Sequence, residues 1–346
     1  MNKFSKAKSD GNVCTDMFVG MDLHKNYLQV AVLDGKGKVL KNSRIHNDLS
    51  KVGRFFDRIG NSSDVKVVME SSCVWYNIYE YLSEERQLDV SLSNPFKTRA
   101  IASAKIKTDK LDAVKLADLL RGGYIAKCYV PDRKIMDLRQ LVRHRIVLVR
   151  MRTKLKNKIH GITLMQGVRI TDTSAFSNNY VQKLKQLNDY RIDAYLRLID
   201  SLDSEIKKVS KEIQSRAEKE DVTKLLVTIP GIGYYSALLI LSEIGDISRF
   251  PDSYHLCSYA GLVPTTHSSG GITYHGAITK TGSKHLRWIM IECVYTHMRI
   301  SKNSNITRFY TRLAKRKGNS KAVVAAASKL LKVVYWVMKE KREYHV

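Results

Sequence analysis

The clearest strand pattern of the chain lies in "MFVGMDLHKNYLQVAVLDGKGKVLKNSRI", residues 17–45. It contains three apolar, β-type runs, and a Gly-Lys-Gly turn at residues 35–37 separates the second run from the third. Successive strands joined by short turns are typical of an antiparallel meander. The segment therefore predicts three neighbouring antiparallel strands, preceded by a loose tail at residues 1–15.

Helical and strand-like segments alternate after the meander. The order is a helix, a strand, a helix, a strand and a helix, at residues 49–60, "DVKVVMES" (64–71), "VWYNIYEYLSEE" (74–85), "LDVSLSN" (88–94) and "KLDAVKLADLLRGG" (110–123). Gly122 and Gly123 provide a stop signal for the last helix. The sequence thus predicts an α/β domain with a mixed sheet over residues 16–130.

Long helices are predicted beyond Pro131. Between Arg133 and Lys158 there are ten Lys or Arg residues and one acid, Asp137. Isoleucines then recur every seven residues, with an apolar residue inside each interval: Ile192, Ile199, Ile206 and Ile213, with Tyr195, Leu202 and Val209 between them. This pattern predicts a basic helical connector over residues 131–220 with a coiled-coil or helical-hairpin seam. An ordinary amphipathic helix in a bundle fits the pattern equally well.

A third, mainly helical domain is predicted over residues 221–346. The stretch "LLVTIPGIGYYSALLILSEIGDISRF" (225–250) places a Pro-Gly-Ile-Gly turn between two apolar segments. This is the pattern of a helix-hairpin-helix, in which the backbone N–H groups of Gly231 and Gly233 would meet a phosphate. The alternative is a helical hairpin whose tight turn binds nothing.

Charge is the strongest property of the whole chain. Fifty-nine Lys and Arg against thirty-three Asp and Glu give a net charge of +26 over 346 residues. Such an excess favours a polyanionic partner such as nucleic acid, although it can also serve solubility alone. No apolar window is long enough for a membrane span and no signal-peptide core is present, so we expect a cytoplasmic protein. The five cysteines form no C-x-x-C pair, which argues against a zinc site or a disulfide framework.

Four acids stand at positions that would converge on one end of the sheet. Asp22 and Glu70 close predicted strands, and Asp109 and Asp112 open a helix in "KTDKLDA" (107–113). Packed carboxylates repel one another unless cations neutralise them, and hard oxygen ligands suit Mg²⁺. A pair of such ions can clamp both oxygens of a phosphodiester under attack. The alternative to a metal site is that Asp109 and Asp112 cap the helix and that the other two acids are simply exposed to solvent.

The order of these four acids along the chain resembles that of a known protein family. The order Asp22, Glu70, Asp109, Asp112 resembles the RuvC-like DEDD domain, with an RNase H-like fold, of a family of bacterial insertion-sequence transposases, of which Piv-type DNA invertases are relatives. "IPGIG" (229–233), "LCSYAGLVP" (256–264) and "KTGSKHLR" (280–287) resemble that family's C-terminal domain. The resemblance spans roughly residues 17–335. It implies DNA recombination guided by a structured non-coding RNA that pairs with donor and target DNA.

The resemblance also implies a serine nucleophile that forms a covalent phosphoserine link to DNA. It places that serine at Ser269, with Ser268 as the alternative, in the stretch "TTHSSGGITYHG" (265–276), which by itself predicts only a flexible, phosphate-tolerant loop. No acid occurs between Asp252 and Glu292, so activation of the hydroxyl must come from elsewhere, such as Mg²⁺ at the carboxylates. Lys280 and Arg287 either stabilise charge on the phosphate or hold the DNA backbone. His267, His275 and His285 fit no metal-ligand spacing.

The remaining expectations concern partners and rival functions. Candidate nucleic-acid contacts are Lys107, Arg143, Arg150, Lys154, Lys158, Gly231, Gly233, Lys280 and Arg287. Strand exchange requires several DNA ends to be held together, so we expect a homodimer or homotetramer associating through the helix at 190–215. One rival is a metal-dependent nuclease of the Holliday-junction type, in which water attacks and no covalent intermediate forms. The other is a nucleic-acid-binding protein without catalysis.

Overall fold

The computed structural model describes residues 16–59, 64–72, 74–101, 108–168, 176–269 and 271–345. The chain divides into two compact units, Met1–Val130 and Pro131–Val346. Within the described ranges, no helix is both long and apolar enough to cross a membrane. The predicted tail at 1–15 lies outside the described residues, as does Lys107.

The first unit is built on a five-stranded mixed sheet. Its strands are β1 (Met17–Leu23), β2 (Tyr27–Leu33), β3 (Val39–His46), β4 (Val65–Glu70) and β5 (Asp89–Ser93). They are arranged in the order β3-β2-β1-β4-β5. β1, β2 and β3 pair antiparallel, whereas β4 runs parallel to both β1 and β5. The predicted meander and the predicted mixed sheet are both confirmed.

Helices cover this sheet because its central strands are apolar on both faces. The helices are α1 (Leu49–Phe56), α2 (Trp75–Glu80), which continues as a π-helical turn (Tyr81–Glu85), α3 (Pro95–Ile101) and α4 (Asp109–Arg121). On one face, Val19, Met21 and Val67 pack with residues of α1 and α2. On the other face, Phe18 and Ala31 pack against Ala113 and Ala117 of α4.

The second unit begins with two long helices, α5 (Arg133–Met165) and α7 (Tyr190–Ala217), with the short α6 (Asn178–Lys185) between them in the chain. The guanidinium of Arg145 on α5 donates to Ser210 on α7 at 2.8 Å, and Arg152 pairs with Asp203. From the first of these contacts to the second, the residue number increases on α5 and decreases on α7. The two helices therefore form an antiparallel hairpin. All four heptad isoleucines are buried. The predicted seam is therefore filled, at least in part, from within the same chain.

The rest of this unit surrounds the apolar helix α9 (Tyr234–Ile244). Its other elements are α8 (Asp221–Val227), a 3₁₀ turn (Ile247–Arg249), α10 (Ser253–Tyr259), β6 (Pro264–Ser269), β7 (Ile272–Ile278), α11 (Lys284–Ile300), α12 (Asn305–Lys317) and α13 (Asn319–Glu340). One hydrophobic core joins residues of α5, α7, α9, α11 and α13, including Val142, Ile213 and Leu330. The mainly helical character is confirmed. The boundary predicted at residues 220/221 stays a prediction.

Candidate active site

The site is assembled by the direct contact of helix α4 with strand β1. A Cβ built on Gly20 would lie 2.6 Å from the backbone nitrogen of Ala117, so only glycine lets the helix come this close. Side chains two residues apart lie on the same face of a strand. Asp22 therefore faces the α4 side of the sheet. The close approach brings it to the first turn of α4, where Asp109 lies.

Three potential ligand groups meet there: Asp22, His24 and Asp109. Their ligand atoms all lie within 4.8 Å of one another. His24 Nε2 is 3.2 Å from Asp22 Oδ2 and 3.6 Å from Asp109 Oδ2. The imidazole thus lies within reach of both carboxylates, and the three side chains are half-buried.

Two further side chains hold Asp109 in place. The Tyr27 hydroxyl donates a hydrogen bond to Asp109 Oδ2 at 2.9 Å. Arg44 Nη2 lies 3.6 Å from the same oxygen, and its guanidinium carbon is 3.9 Å from the centre of the Tyr27 ring. Tyr27 also stacks on His24, with ring centres 4.6 Å apart. Side chains of the antiparallel strands β2 and β3 therefore orient a carboxylate carried by α4.

The surroundings of Asp22 disfavour the charged form of its carboxyl group. Burial raises the pKa of Asp22 above its usual value, His24 opposes that shift, and the charges of Asp109 and Asp112 add to it. Like charges at close range favour the protonated form of one of them. A bound cation would remove this penalty. Asp109 and Asp112 thus act on Asp22 in the direction that a bound cation would offset.

Glu70 and Asp112 lie near the cluster but outside it. β1 and β4 are in register at Met21 and Met69, so Asp22 and Glu70 are the next residues on neighbouring strands. Alternation along the strand also places Glu70 on the α4 side of the sheet. Asp112 contributes to the electrostatics of Asp22 and lies 3.6 Å from Lys115 Nζ. Among the described residues, neither acid joins the group that could share one metal ion.

Sequence reasoning missed His24, Tyr27 and Arg44. The available signal was the spacing Asp22-x-His24 at the end of a strand, because alternate residues can point to one side. Two carboxylates and an imidazole are donors for a divalent cation. The residues present therefore fit a divalent metal. An imidazole suits Mn²⁺ or Zn²⁺ at least as well as it suits Mg²⁺.

The segment around Ser269 is not the flexible loop that its polar composition predicted. β6 and β7 pair antiparallel, with Ser268 opposite Thr273 and Ser269 opposite Ile272. The sequence pair Gly270-Gly271 favours a tight hairpin turn, and Gly271 has a φ of +79°, which a residue with a Cβ rarely adopts. The Ser268 hydroxyl lies 2.9 Å from that of Thr273. Ser269 is exposed at the end of the hairpin.

Four candidate cations for nucleic-acid contact are exposed. Arg150, Lys154 and Lys158 occur every fourth residue on α5 and form one stripe on that helix. Lys280 is also exposed and has a φ of +53°. These cations are available to a phosphate backbone.

Two other candidate cations have protein partners. Arg143 forms two hydrogen bonds, of 2.8 and 3.0 Å, with the carboxylate of Glu243, whose side chain is 1% exposed. Glu243 also accepts a hydrogen bond from Ser283 at 2.8 Å. Arg287 donates to the carbonyl of Ala260 at 2.9 Å. These contacts connect α5 and α9 to the start of α11 and to the turn before β6.

The two glycines of the "IPGIG" turn differ. Gly231 has a φ of +92°, and a Cβ there would lie 2.6 Å from the backbone nitrogen of His297 on α11. The imidazole of His297, itself fully buried, lies 2.6 Å from the Pro230 carbonyl oxygen. Gly233 is exposed before α9, and no atom lies within 4 Å of a Cβ built on it. Packing accounts for Gly231, whereas Gly233 is open to a ligand.

Sequence comparisons match both units. A family profile for the DEDD transposase of the IS110 type, described as "Transposase", matches residues 19–168. A second, described as "Transposase IS116/IS110/IS902 family", matches residues 223–311. The first match covers Asp22, Asp109 and their neighbours, and the second covers Ser269.

Curated relatives match along most of their length. The transposase for insertion sequence element IS1111A of Coxiella burnetii is 24% identical over 94% of this chain and 90% of its own. The transposase for IS1328 of Yersinia enterocolitica is 24% identical over 92% and 96%. The pilin gene-inverting protein of Moraxella bovis is 28% identical over 82% and 83%. This chain belongs to the IS110/IS116 family of transposases, enzymes that cleave DNA and transfer its strands.

Proposed function

We propose that this transposase exchanges DNA strands of an insertion sequence in a metal-dependent reaction that passes through a phosphoserine at Ser269. The observation that carries the metal dependence is the gathering of Asp22, His24 and Asp109 ligand atoms within 4.8 Å. We assign Asp22, Glu70, Asp109 and Asp112 as the ligands of two Mg²⁺ ions, with His24 as an additional donor. Bound ions would supply Lewis-acid stabilisation of the phosphodiester and activation of the nucleophile.

The covalent step exchanges one ester bond for another. Ser269 Oγ forms a bond to the scissile phosphorus, and the bond from phosphorus to one sugar oxygen breaks. That oxygen takes up the proton that the serine loses. The reverse reaction, with a hydroxyl from a different strand, releases the serine and joins the new strand without any external energy source.

Ser269 is preferred to Ser268 because of the hairpin geometry. Neighbouring residues of a strand point to opposite faces, so only one of the two hydroxyls can meet a given phosphate. The Ser268 hydroxyl already bonds with Thr273 across the hairpin. The acid-free stretch from 253 to 291 would admit a phosphodiester without charge repulsion.

The basic surfaces would hold the nucleic acids. We assign donor and target DNA, together with a structured guide RNA, to the exposed stripe Arg150, Lys154 and Lys158, to Lys280 and to the turn at Gly233. The family resemblance is the reason to propose a guide RNA, and the net charge of +26 is compatible with more than one polyanionic partner. This part of the proposal is supported if RNA co-purifies with the protein, stays bound during washing without nuclease, and maps to the ends of the element. Recovery of bulk cellular RNA alone would contradict it.

The active form is a homodimer or homotetramer, because strand exchange needs several DNA ends in one complex. The isoleucine seam of α7 is buried within the chain, so this interface would use other residues of α5 and α7. The pilin gene-inverting relative fits the same requirement, since inverting a segment joins two pairs of ends. Light scattering of the DNA-bound protein distinguishes these states from a monomer.

A trapped protein–DNA adduct is the deciding experiment. The protein is incubated with its element ends and Mg²⁺, denatured, and digested, and mass spectrometry locates the nucleotide-bearing peptide. Ser269→Ala is expected to abolish both adduct and exchange, whereas Ser268→Ala keeps them. Asp22→Asn, or chelation of the metal, should abolish cleavage while DNA binding remains. Wild-type cleavage by Ser269→Ala would overturn the proposal in favour of a nuclease that uses water.

A further inference from the structure

A second basic surface, formed by helix α12 and the turn before it, is not explained by the sites above. An open groove of about 470 Å³ is lined by Lys302, Arg308, Thr311, Arg312 and Lys315. Four of these five residues are cationic. All five are exposed.

The chain around this groove lacks negative charge. No Asp or Glu occurs from Cys293 to Lys339, a range that contains eleven Lys and Arg residues. Ile306 is the buried anchor of α12, and Arg308 Nη2 donates to Asn305 Oδ1 at 3.0 Å, which orients its guanidinium along the helix. Cations that only serve solubility are normally interspersed with acids. The absence of acids over this range indicates a polyanionic ligand.

We propose that this groove binds the phosphate backbone of duplex DNA. Arg308, Arg312 and Lys315 follow one another at about one helical turn, so their charged groups form a ridge roughly 10 Å long. Each strand of a duplex carries one phosphate per about 3.4 Å of helix axis and winds around that axis, so a ridge of this length can reach roughly two phosphates of one strand. Thr311 adds a hydroxyl donor between the cations. Guanidinium and hydroxyl groups are common donors to DNA phosphates.

Duplex DNA is favoured over single-stranded nucleic acid by what lines the groove. Surfaces that bind single strands pair their cations with aromatic rings on which bases stack. The described residues that line this groove include no aromatic side chain. It therefore offers contacts to the backbone alone, and binding should be independent of base sequence. A groove with this role would hold DNA whichever residue of the transposase is the nucleophile.

The test compares two double variants of the full-length protein with equal charge. Arg308→Gln/Arg312→Gln removes two groove cations, and Lys207→Gln/Lys211→Gln removes two exposed cations from α7. Affinity for a duplex of unrelated sequence is measured from low to moderate salt. Each lost phosphate contact lowers the slope of log Kd against log salt by about one, so the groove variant should lose about two and the α7 control less than one.

Two controls keep the outcome interpretable. Both variants should melt at the wild-type temperature, because the changed side chains are exposed. If Arg308→Gln/Arg312→Gln fails to fold, Arg312→Gln alone replaces it, with an expected slope change of about one. The proposal is overturned if the groove variant keeps the wild-type slope, or if it loses affinity for single-stranded DNA or RNA but not for the DNA duplex.

Discussion

Gly20 on β1 lies directly beneath Ala113 on α4, so that a Cβ at residue 20 would be 2.1 Å from the Ala113 carbonyl oxygen. Backbone atoms on a helix cannot move aside as a flexible side chain can. The distance between strand and helix, and with it the distance between Asp22 and Asp109, therefore depends on one missing methyl group.

Gly20→Ala should push α4 away from the sheet. We expect a loss of about 1–3 kcal/mol in the free energy of unfolding, the usual range for overpacking, together with weaker divalent-metal binding. Gly35→Ala is the matched control, because no atom lies within 4 Å of a Cβ at that position. Thermal melting and metal titration measure the two effects. Unchanged metal affinity in folded Gly20→Ala would contradict this account.

Tyr27→Phe removes the hydrogen bond that orients Asp109 while keeping the aromatic ring. Groups that orient metal ligands typically account for a 10–100-fold change in metal affinity, and we expect a loss in that range with little change in melting temperature. Calorimetric titration with Mn²⁺ gives the affinity. Tyr124→Phe, at a tyrosine that is 66% exposed, serves as the control. Equal affinities in the two variants would show that the Tyr27 hydroxyl does not position Asp109.

Gly231→Ala and Gly233→Ala separate packing from ligand binding in the "IPGIG" turn. Gly231→Ala combines a left-handed conformation with a clash against α11, and should reduce the free energy of unfolding by roughly 2–4 kcal/mol. Gly233→Ala should leave stability nearly unchanged and weaken DNA binding. Chemical denaturation and a duplex-binding assay test both statements. Full DNA affinity in Gly233→Ala would leave the turn as a structural hairpin.

Glu243→Gln tests the buried ion pair with Arg143. Burial acts to raise the pKa of Glu243, but the hydrogen bonds and charge of Arg143, with Ser283, outweigh it and hold that pKa below its usual value. The variant should lose about 1–3 kcal/mol at neutral pH, the usual range for hydrogen bonds to a charged group.

The pH dependence follows from the direction of that shift. A carboxyl whose pKa is lower in the folded state stabilises the fold above its unfolded value, about 4.3, and this stabilisation disappears as the pH falls through the folded value. Wild-type protein should therefore lose more stability on acidification than Glu243→Gln does. Melting curves between neutral and acidic pH measure the difference, with the exposed Glu212→Gln as control. Parallel curves for wild type and Glu243→Gln would contradict the pKa direction.

The sequence predicts the parts of this protein that depend on local pattern. Alternation and turn residues were sufficient for the meander, and a strand end together with a helix start was sufficient to expect Asp22 and Asp109 at one end of the sheet. His24, Tyr27 and Arg44 were missed because their roles arise only when α4 lies against β1 and β2. The hairpin at Ser269 was missed for a different reason: the polar character of residues 265–276 concealed the turn signal in the sequence pair Gly270-Gly271.

Pairing partners of charged residues were also beyond sequence reasoning. Arg143 and Arg150 look alike in the chain, yet one is held by a buried carboxylate 100 residues away and the other is exposed. A sequence shows how many cations a helix has. Only the packing of the helix shows which of them are already engaged.

The β6–β7 hairpin also has a mechanical consequence. Its described side chains are exposed or half-buried, and its base is fixed by the Thr279 N–H bond to the Val263 carbonyl at 2.9 Å. From that base the strand extends roughly 17 Å to Ser269, so a tilt of about 10° at the base moves the serine by about 3 Å. A misplacement of about 1 Å can lower a reaction rate by about 100-fold. A small rotation at the base of the hairpin would therefore displace the Ser269 hydroxyl by several times the movement at the base. Substitutions at Val263 or Thr279 would change the position of that hydroxyl without contacting it.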